Sequence, residues 1–399
     1  MARGTARRID MLLEFLRLET TGGRLLLLAT GVALLWANLP GGTYEQFWSL
    51  RLPSSAVLDA LHLDLTLAGW VTDGLLTVFF FVAGLEVKRE LTVGELAGWR
   101  VAALPVVAAL GGMMVPAVVA IAVSGGAAAH GGAWAVPVAT DIAFALGVLA
   151  LAGSTLPSGV RVLLLSLAVI DDLGAIALVG VLFAHDVRLW WLAGGLLLCL
   201  AYGLLHRLRW TPAWLVVPVA VGAWVCVQGG GVHATVTGIA LGLLTPVRAR
   251  GGEDESACDR LLHRLHPLSA GVVVPIFALA AAGIPLAAAA DAIGDPVARG
   301  AAAGLLLGKP VGILLGAWLA VRIRLGALPP EVGWGDVLPV AMLGGVGYTV
   351  SLLIARLSVP GEAADAAAAA VLGASVVAAV LATVLVRRRG SARDRLQKW

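Results

Sequence analysis

Twelve apolar runs succeed one another along this chain, at roughly 24–40, 70–88, 101–123, 134–151, 160–184, 189–206, 212–227, 230–246, 268–289, 299–321, 336–357 and 364–386. A helix needs about 20 residues to cross the hydrocarbon core of a bilayer. Backbone in that core must satisfy its own hydrogen bonds, which leaves helices and closed barrels. Barrel strands are shorter and alternate in polarity, so the runs predict an all-α integral membrane fold. Composition agrees: 59% of residues are apolar, 13% are charged and the mean hydropathy is +0.93, against about 25% charged residues in soluble domains. The 50 glycines suit helices that pack closely in lipid. Short connections predict one transmembrane domain over 1–399. Its non-membrane parts are a cytoplasmic N-terminal segment at 1–23, an extracytoplasmic hairpin at 41–69, a cytoplasmic loop at 247–267 and a cytoplasmic tail at 387–399.

Lys and Arg in the loops set the orientation. With a cytoplasmic N-terminus, 23 of the 28 basic residues fall on the inner side. Arg51, Arg188, Arg299 and Arg356 fall outside, and Lys309 falls within a span. Both termini are therefore expected in the cytoplasm. The net charge of +3 is a topology signal and not a nucleic-acid surface. The run at 25–37 after an Arg-rich start resembles a secretory signal, but no clear small-residue cleavage site follows, so it is read as an uncleaved first span. Cys199, Cys226 and Cys258 have no metal-site or disulfide spacing. Leu61 to Leu67 alternates strictly, as does Leu50-Arg51-Leu52, and Pro53-Ser54-Ser55 supplies a turn between them. That period predicts a small extracytoplasmic β-hairpin, whose edge could pair with a second copy of the chain.

Charge is expensive at membrane depth and usually marks an ion or proton path. Asp141 lies in VPVATDIAFALG, Asp171 and Asp172 in LAVIDDLGAIALVG, and Lys309 in LLLGKPVGILLG. Hard cations such as Na⁺ and Li⁺ favour carboxylate, hydroxyl and carbonyl oxygens. No His or Cys cluster competes for that role. Burial disfavours an ionised carboxylate, and a second carboxylate nearby disfavours it further. A proton and a cation can then compete for the same oxygens, and that competition is a coupling mechanism. Adjacent helical residues point about 100° apart, so Asp171 and Asp172 cannot face one partner together. One can face a cavity and the other a neighbouring helix and Lys309.

An internal echo is present. Val136-Pro137-Val138-Ala139 resembles Leu338-Pro339-Val340-Ala341, and the two segments run in opposite directions through the membrane. The first continues into Thr140-Asp141, the second into Gly344, Gly345 and Gly347. Matching interruptions of this kind predict an inverted repeat with two discontinuous helices that cross at a binding site.

ATDIAFALG at 139–147, IDDLGAI at 170–176, GLEVKRE at 84–90, PIFALAAAG at 275–283 and GKPVGI at 308–313 resemble the bacterial sodium/proton antiporters of the NhaA type. The likeness runs through nearly the whole chain in order and spacing. It implies twelve helices with two crossed, broken ones and transport by alternating access; this family is itself one of the known examples of inverted-repeat transporters. It implies a homodimer in the bacterial inner membrane that exports Na⁺ or Li⁺ electrogenically against protons, without a cofactor. The resemblance assigns Asp172 to the cation, with Asp171 beside it and paired to Lys309 when the cation is absent. Thr140 and Asp141 fall at the break of the fourth span, and Asp73 at an accessory position on the cation path. Glu86, Lys88, Arg89 and Glu90, with His263 and His266, match a region implicated in the response to pH. The chain departs from the pattern at Leu262, where relatives can carry glutamate, and at Ala281 in place of asparagine; both concern the pH set-point.

Other classes fit less well. An intramembrane aspartyl protease needs two aspartates on facing helices and has no use for Lys309. A channel would show no proton coupling, and an organic-anion carrier would need cationic residues where this chain has three acids to one base. Another proton-coupled ion transporter is the nearest alternative.

Overall fold

The structure, a computed structural model, describes residues 19–51, 61, 63–94, 97–152, 157–249, 253–329 and 331–396. Among these the chain is helical throughout, in two compact units. The first comprises 25–93 and 176–283; the second comprises 22–24, 94–175 and 284 onwards.

The first unit holds α1 (Glu19–Ala37), the short α2 (Thr43–Ser49) and α3 (Leu67–Thr92). The second opens with α4 (Trp99–Val123), a 3₁₀ segment over Ala133–Val138, and α5 (Ile142–Ala152). Helix α6 (Ser158–Leu182) passes from the second unit to the first. The first unit continues with α7 (Leu189–Arg207), α8 (Ala213–Gly229), α9 (Thr235–Leu244) and α10 (Ala257–Ala281). The second is completed by α11 (Leu286–Gly294), α12 (Pro296–Arg322), α13 (Trp334–Gly344), α14 (Thr349–Ser358) and α15 (Glu362–Leu396).

Eight of the described helices are long and apolar enough to cross a membrane, and the pair α13 and α14, bent by 45° at its break, makes a ninth. Three further apolar helices, over Gly22–Ala37, Ala213–Gly229 and Thr235–Leu244, are shorter. The chain is a multi-span membrane protein.

One boundary differs from the sequence expectation. The ninth run, placed at 268–289, overlaps a helix that starts at Ala257 and ends at Ala281, and its last residues fall in α11. Hydropathy misses the start because the first turns are charged. Ser256 caps them by accepting from the Asp259 amide at 3.0 Å. Gly283 and Pro285 then separate α10 from α11. The expected hairpin is represented by a single antiparallel bridge between Arg51 and Thr66, with the Leu67 amide donating to the Leu50 carbonyl at 2.8 Å and Arg51 paired to Asp64. Its tip, with Leu52, Pro53, Ser54, Ser55 and His62, lies outside the described residues, as do residues 1–18 and 397–399 of the terminal segments.

Small residues decide how closely the helices approach. In the first unit, a Cβ on Gly84 of α3 would lie 2.7 Å from the Ile239 carbonyl of α9, and one on Gly242 would lie 2.6 Å from the Phe81 carbonyl. In the second, Gly304, Gly308, Gly312 and Gly316 recur every fourth residue, which places them on one face of α12. A Cβ on Gly304 would sit 2.6 Å from the Pro137 ring and one on Gly308 2.5 Å from Pro116; on Gly312 it would collide with the Gly111 carbonyl of α4. In lipid no hydrophobic effect drives helices together, so such close van der Waals contact carries the association.

Gly312→Val should therefore lower the thermal unfolding midpoint of the purified protein, by the equivalent of about 1–3 kcal/mol or more. Gly373→Ala in α15, where nothing lies within 4 Å of the added methyl, should leave the midpoint unchanged or raise it. Equal midpoints for Gly312→Val and wild type would show that the α4–α12 contact is not tight.

Candidate functional site

Two interrupted segments meet inside the second unit. The 3₁₀ segment ends at Val138, and Ala139, Thr140 and Asp141 are non-helical before α5 begins. Helix α13 ends at Gly344, and Gly345 to Tyr348 precede α14. Pro137 closes one segment, since its ring sits within the last turn, and Gly344, Gly345 and Gly347 allow the other to bend. Each would meet a neighbour if it carried a Cβ: Ile313 for Gly344, the Leu305 carbonyl for Gly345, and the Ser351 hydroxyl for Gly347. The two breaks are bonded to each other, because the Asp141 amide donates to the Val346 carbonyl at 2.7 Å.

Four chain ends converge here, and each has a partner. Asp141 Oδ1 accepts from the Phe144 amide at 2.9 Å, capping α5, and Oδ2 accepts from the Thr349 amide at 3.1 Å, at the start of α14. One carboxylate thus serves two helix N-termini, where orphan N–H groups concentrate positive charge. The opposite ends present carbonyls. Lys309 donates to the Val138 carbonyl, and Thr140 Oγ1 lies 2.9 Å from the Gly344 carbonyl.

Lys309 and Asp171 form an ion pair at 2.8 Å, with both side chains fully buried. Thr140 Oγ1 also reaches Asp171 Oδ2 at 2.9 Å, while Asp171 Oδ1 has no hydrogen-bond partner among the described residues. Asp172 is 2% exposed on the same helix. The structure therefore brings together Thr140, Asp141, Asp171 and Lys309 around the breaks, with Asp172 adjacent in the chain. Chemically this is a buried set of carboxylate, hydroxyl and carbonyl oxygens with one ammonium, which suits a small hard cation that exchanges with a proton.

The remaining sequence candidates lie in the first unit. Asp73 sits in a π-turn over Trp70–Leu75 of α3. Its carboxylate is 3.3 Å from His233 Nδ1 and accepts from Gln228 Nε2 at 3.3 Å, and its carbonyl accepts from the Trp224 indole at 2.7 Å. In the inner-face group, Glu86 lies 3.6 Å from His266, Arg89 pairs with Asp259 at 3.1 Å, and His263 lies 3.6 Å from Glu255. Lys88 contributes its carbonyl to Thr92 Oγ1, and Glu90 follows on the same helix.

Sequence reasoning missed several members of these constellations. The Thr349 amide and the Val138, Gly344 and Val346 carbonyls are backbone groups, which side-chain patterns do not reveal. His233 and Gln228 carried no signal of their own, since neither is near Asp73 in the chain. Ser351, in the first turn of α14 and buried with a hydroxyl that has no hydrogen-bond partner among the described residues, could have been noticed as a polar residue after the Gly-rich break. The four-residue spacing of glycines in α12 was legible and overlooked.

Comparison with known proteins places residues 13–386 in a match to the Na⁺/H⁺ antiporter 1 family. A protein named Na⁺/H⁺ antiporter NhaA 1 from Saccharopolyspora erythraea is 52% identical over 390 residues, covering 97% of this chain and 94% of the relative. One named Na⁺/H⁺ antiporter NhaA 2 from Frankia alni is 49% identical over 390 residues, covering 97% and 79%. Another of that name from Rhodococcus jostii is 47% identical over 387 residues, covering 95% and 93%.

Removal of the Asp171 charge should unbalance Lys309. Breaking a buried pair from one side typically costs about 3–5 kcal/mol. Asp171→Asn is expected to lower the thermal unfolding midpoint, and Asp171→Asn combined with Lys309→Gln is expected to restore part of the loss. A double variant that falls by the sum of the two single losses would mean that the pair is not coupled.

Proposed function

We propose that this chain, which belongs to the Na⁺/H⁺ antiporter 1 family, moves Na⁺ or Li⁺ out of a bacterial cell in exchange for protons. The observation that carries this reading is the buried Thr140–Asp171–Lys309 contact beside Asp172 at the meeting of two broken helices. A cation held by the Asp172 carboxylate would take a further oxygen from Thr140, with Asp171 beside it. Its arrival would draw Asp171 away from Lys309, and a proton arriving instead would neutralise the same carboxylate. Each ligand excludes the other, and that competition couples the two movements.

The driving force follows from charge. If two protons enter for each cation that leaves, one net charge moves inward per cycle, and the membrane potential contributes about 2.3 kcal/mol per 100 mV. Asp171 and Lys309 are the two candidates for the second proton. Alternating access would then move Thr140 and the paired breaks relative to the two membrane faces. The nine long spans and three shorter apolar helices support a twelve-span bundle. The opposed interruptions at 139–141 and 345–348 support an inverted repeat with crossed, broken helices. We further assign the protein to the inner membrane with both termini cytoplasmic, acting as a homodimer. Asp73 is proposed on the cation path. The group Glu86, Lys88, Arg89, Glu90, His263 and His266 is proposed to tune the response to pH.

Everted vesicles from cells that lack other antiporters test the reading. Addition of NaCl should collapse an imposed pH gradient with wild-type protein, and not with Asp172→Asn. Thr140→Val, which loses one oxygen, should raise the KM for Na⁺ with a smaller change in maximal rate. Because protons compete, the KM should also rise as the pH falls. Silence toward both Na⁺ and Li⁺ at every pH, with protein present in the membrane, would falsify the exchange.

A further inference from the structure

Far from the break, at the other end of α13, stands another buried carboxylate. Asp336 is completely buried although it lies only two residues from the start of its helix. Its Oδ2 accepts from the Gly333 amide at 2.8 Å, which is an ordinary way to close a first turn. A cap of that kind works in water and needs no burial. Here two arginines from the end of α15 cover it: Arg389 Nε donates to Oδ1 at 2.9 Å and Arg393 Nη2 to Oδ2 at 2.7 Å. The two arginine side chains remain partly exposed, at 34% and 24%.

The surrounding backbone is shaped to this contact. A Cβ on Gly335 would lie 2.9 Å from Arg389 Cζ and 3.1 Å from its Nε, so a side chain there would push the guanidinium from its present seat. Arg393 Nη2 also donates to the Glu331 carbonyl at 2.6 Å. Glu331 holds φ at 65°, a left-handed conformation that costs a non-glycine residue energy. The opposite end of the broken pair is fastened in the same manner with the charges reversed. Arg356, in the last turn of α14, donates to Asp365 in the first turn of α15. A single helix of 35 residues therefore holds both far ends of α13 and α14, and the break between them stays apart from these ties.

From this we infer that Asp336, Arg389 and Arg393 form a positioning clamp that sets α13 along its axis and so fixes the Gly344 carbonyl against Thr140. Asp336 and Gly344 are eight residues apart, about 12 Å at 1.5 Å per residue, and although Pro339 lies between them the helix is continuous over Trp334–Gly344, so a shift at one end is carried toward the other. The clamp acts through Thr140 and touches no transported ion. Its role in transport rests on the exchange proposed above; its effect on α13 does not.

Two readouts test it. In everted vesicles, Asp336→Asn should raise the KM for Na⁺ about threefold or more, with a smaller fall in maximal rate per antiporter. Arg389→Ala/Arg393→Ala should do the same, and adding Asp336→Asn to it should change nothing further. Arg389→Lys/Arg393→Lys should recover most of the affinity. In purified protein, amide hydrogen exchange over 337–348 should be faster in Asp336→Asn than in wild type. If Asp336→Asn fails to accumulate, Arg393→Ala alone carries the same comparisons. Wild-type KM and wild-type exchange in these variants would overturn the clamp, as would a loss confined to the amount of protein in the membrane. A wild-type protein that moves no Na⁺ would instead overturn the antiporter reading, while the hydrogen-exchange comparison would still decide on the clamp.

Discussion

Ending a helix inside an apolar interior leaves up to four N–H or four C=O groups without partners. This chain does it at two interruptions, 139–141 and 345–348, and brings them together. Everything else in the second unit follows from having to satisfy those ends. Asp141 spans two N-termini, Lys309 takes a carbonyl at one C-terminal end, and Thr140 lies against a carbonyl at the other. Lys309 cannot be there without a counter-charge, and Asp171 provides it. The ionisable groups expected from the sequence to handle ions are thus the same groups that allow the backbone to be broken at all.

Around this polar centre the packing is close and apolar. The glycine row of α12 presses against α4 and the Pro137 ring, within contact of the break itself. The second unit therefore combines a glycine-packed wall with a hydrogen-bonded centre. In the first unit the α3–α9 contact at Gly84, Gly238 and Gly242 is a wall of the same kind.

What could be read from the chain alone divides by the kind of signal. Asp141, Asp171, Asp172 and Lys309 stood out because charge is rare in apolar runs, and the two interruptions because Pro137 and Gly344, Gly345 and Gly347 fall at echoing positions. The bonds joining the interruptions were not legible, since they run through backbone groups about 200 residues apart. The start of α10 was misplaced because a cytoplasmic-looking charged stretch can be helical when Ser256 caps it. Asp336 passed unnoticed for a related reason: at the edge of an apolar run an acid looks solvated, and only Arg389 and Arg393, more than 50 residues away, bury it.

Thr140 lies 2.9 Å from both Asp171 Oδ2 and the Gly344 carbonyl. A hydroxyl has one hydrogen to give, so it serves these two acceptors by turns. While Asp171 is ionised, the carboxylate is the stronger acceptor and holds that hydrogen. Once the carboxylate is neutralised, the balance tips toward Gly344, and the end of a half-helix gains a bond it lacked. A rotation about a single Cα–Cβ bond thereby converts the charge of a side chain on one helix into a pull on the backbone of another.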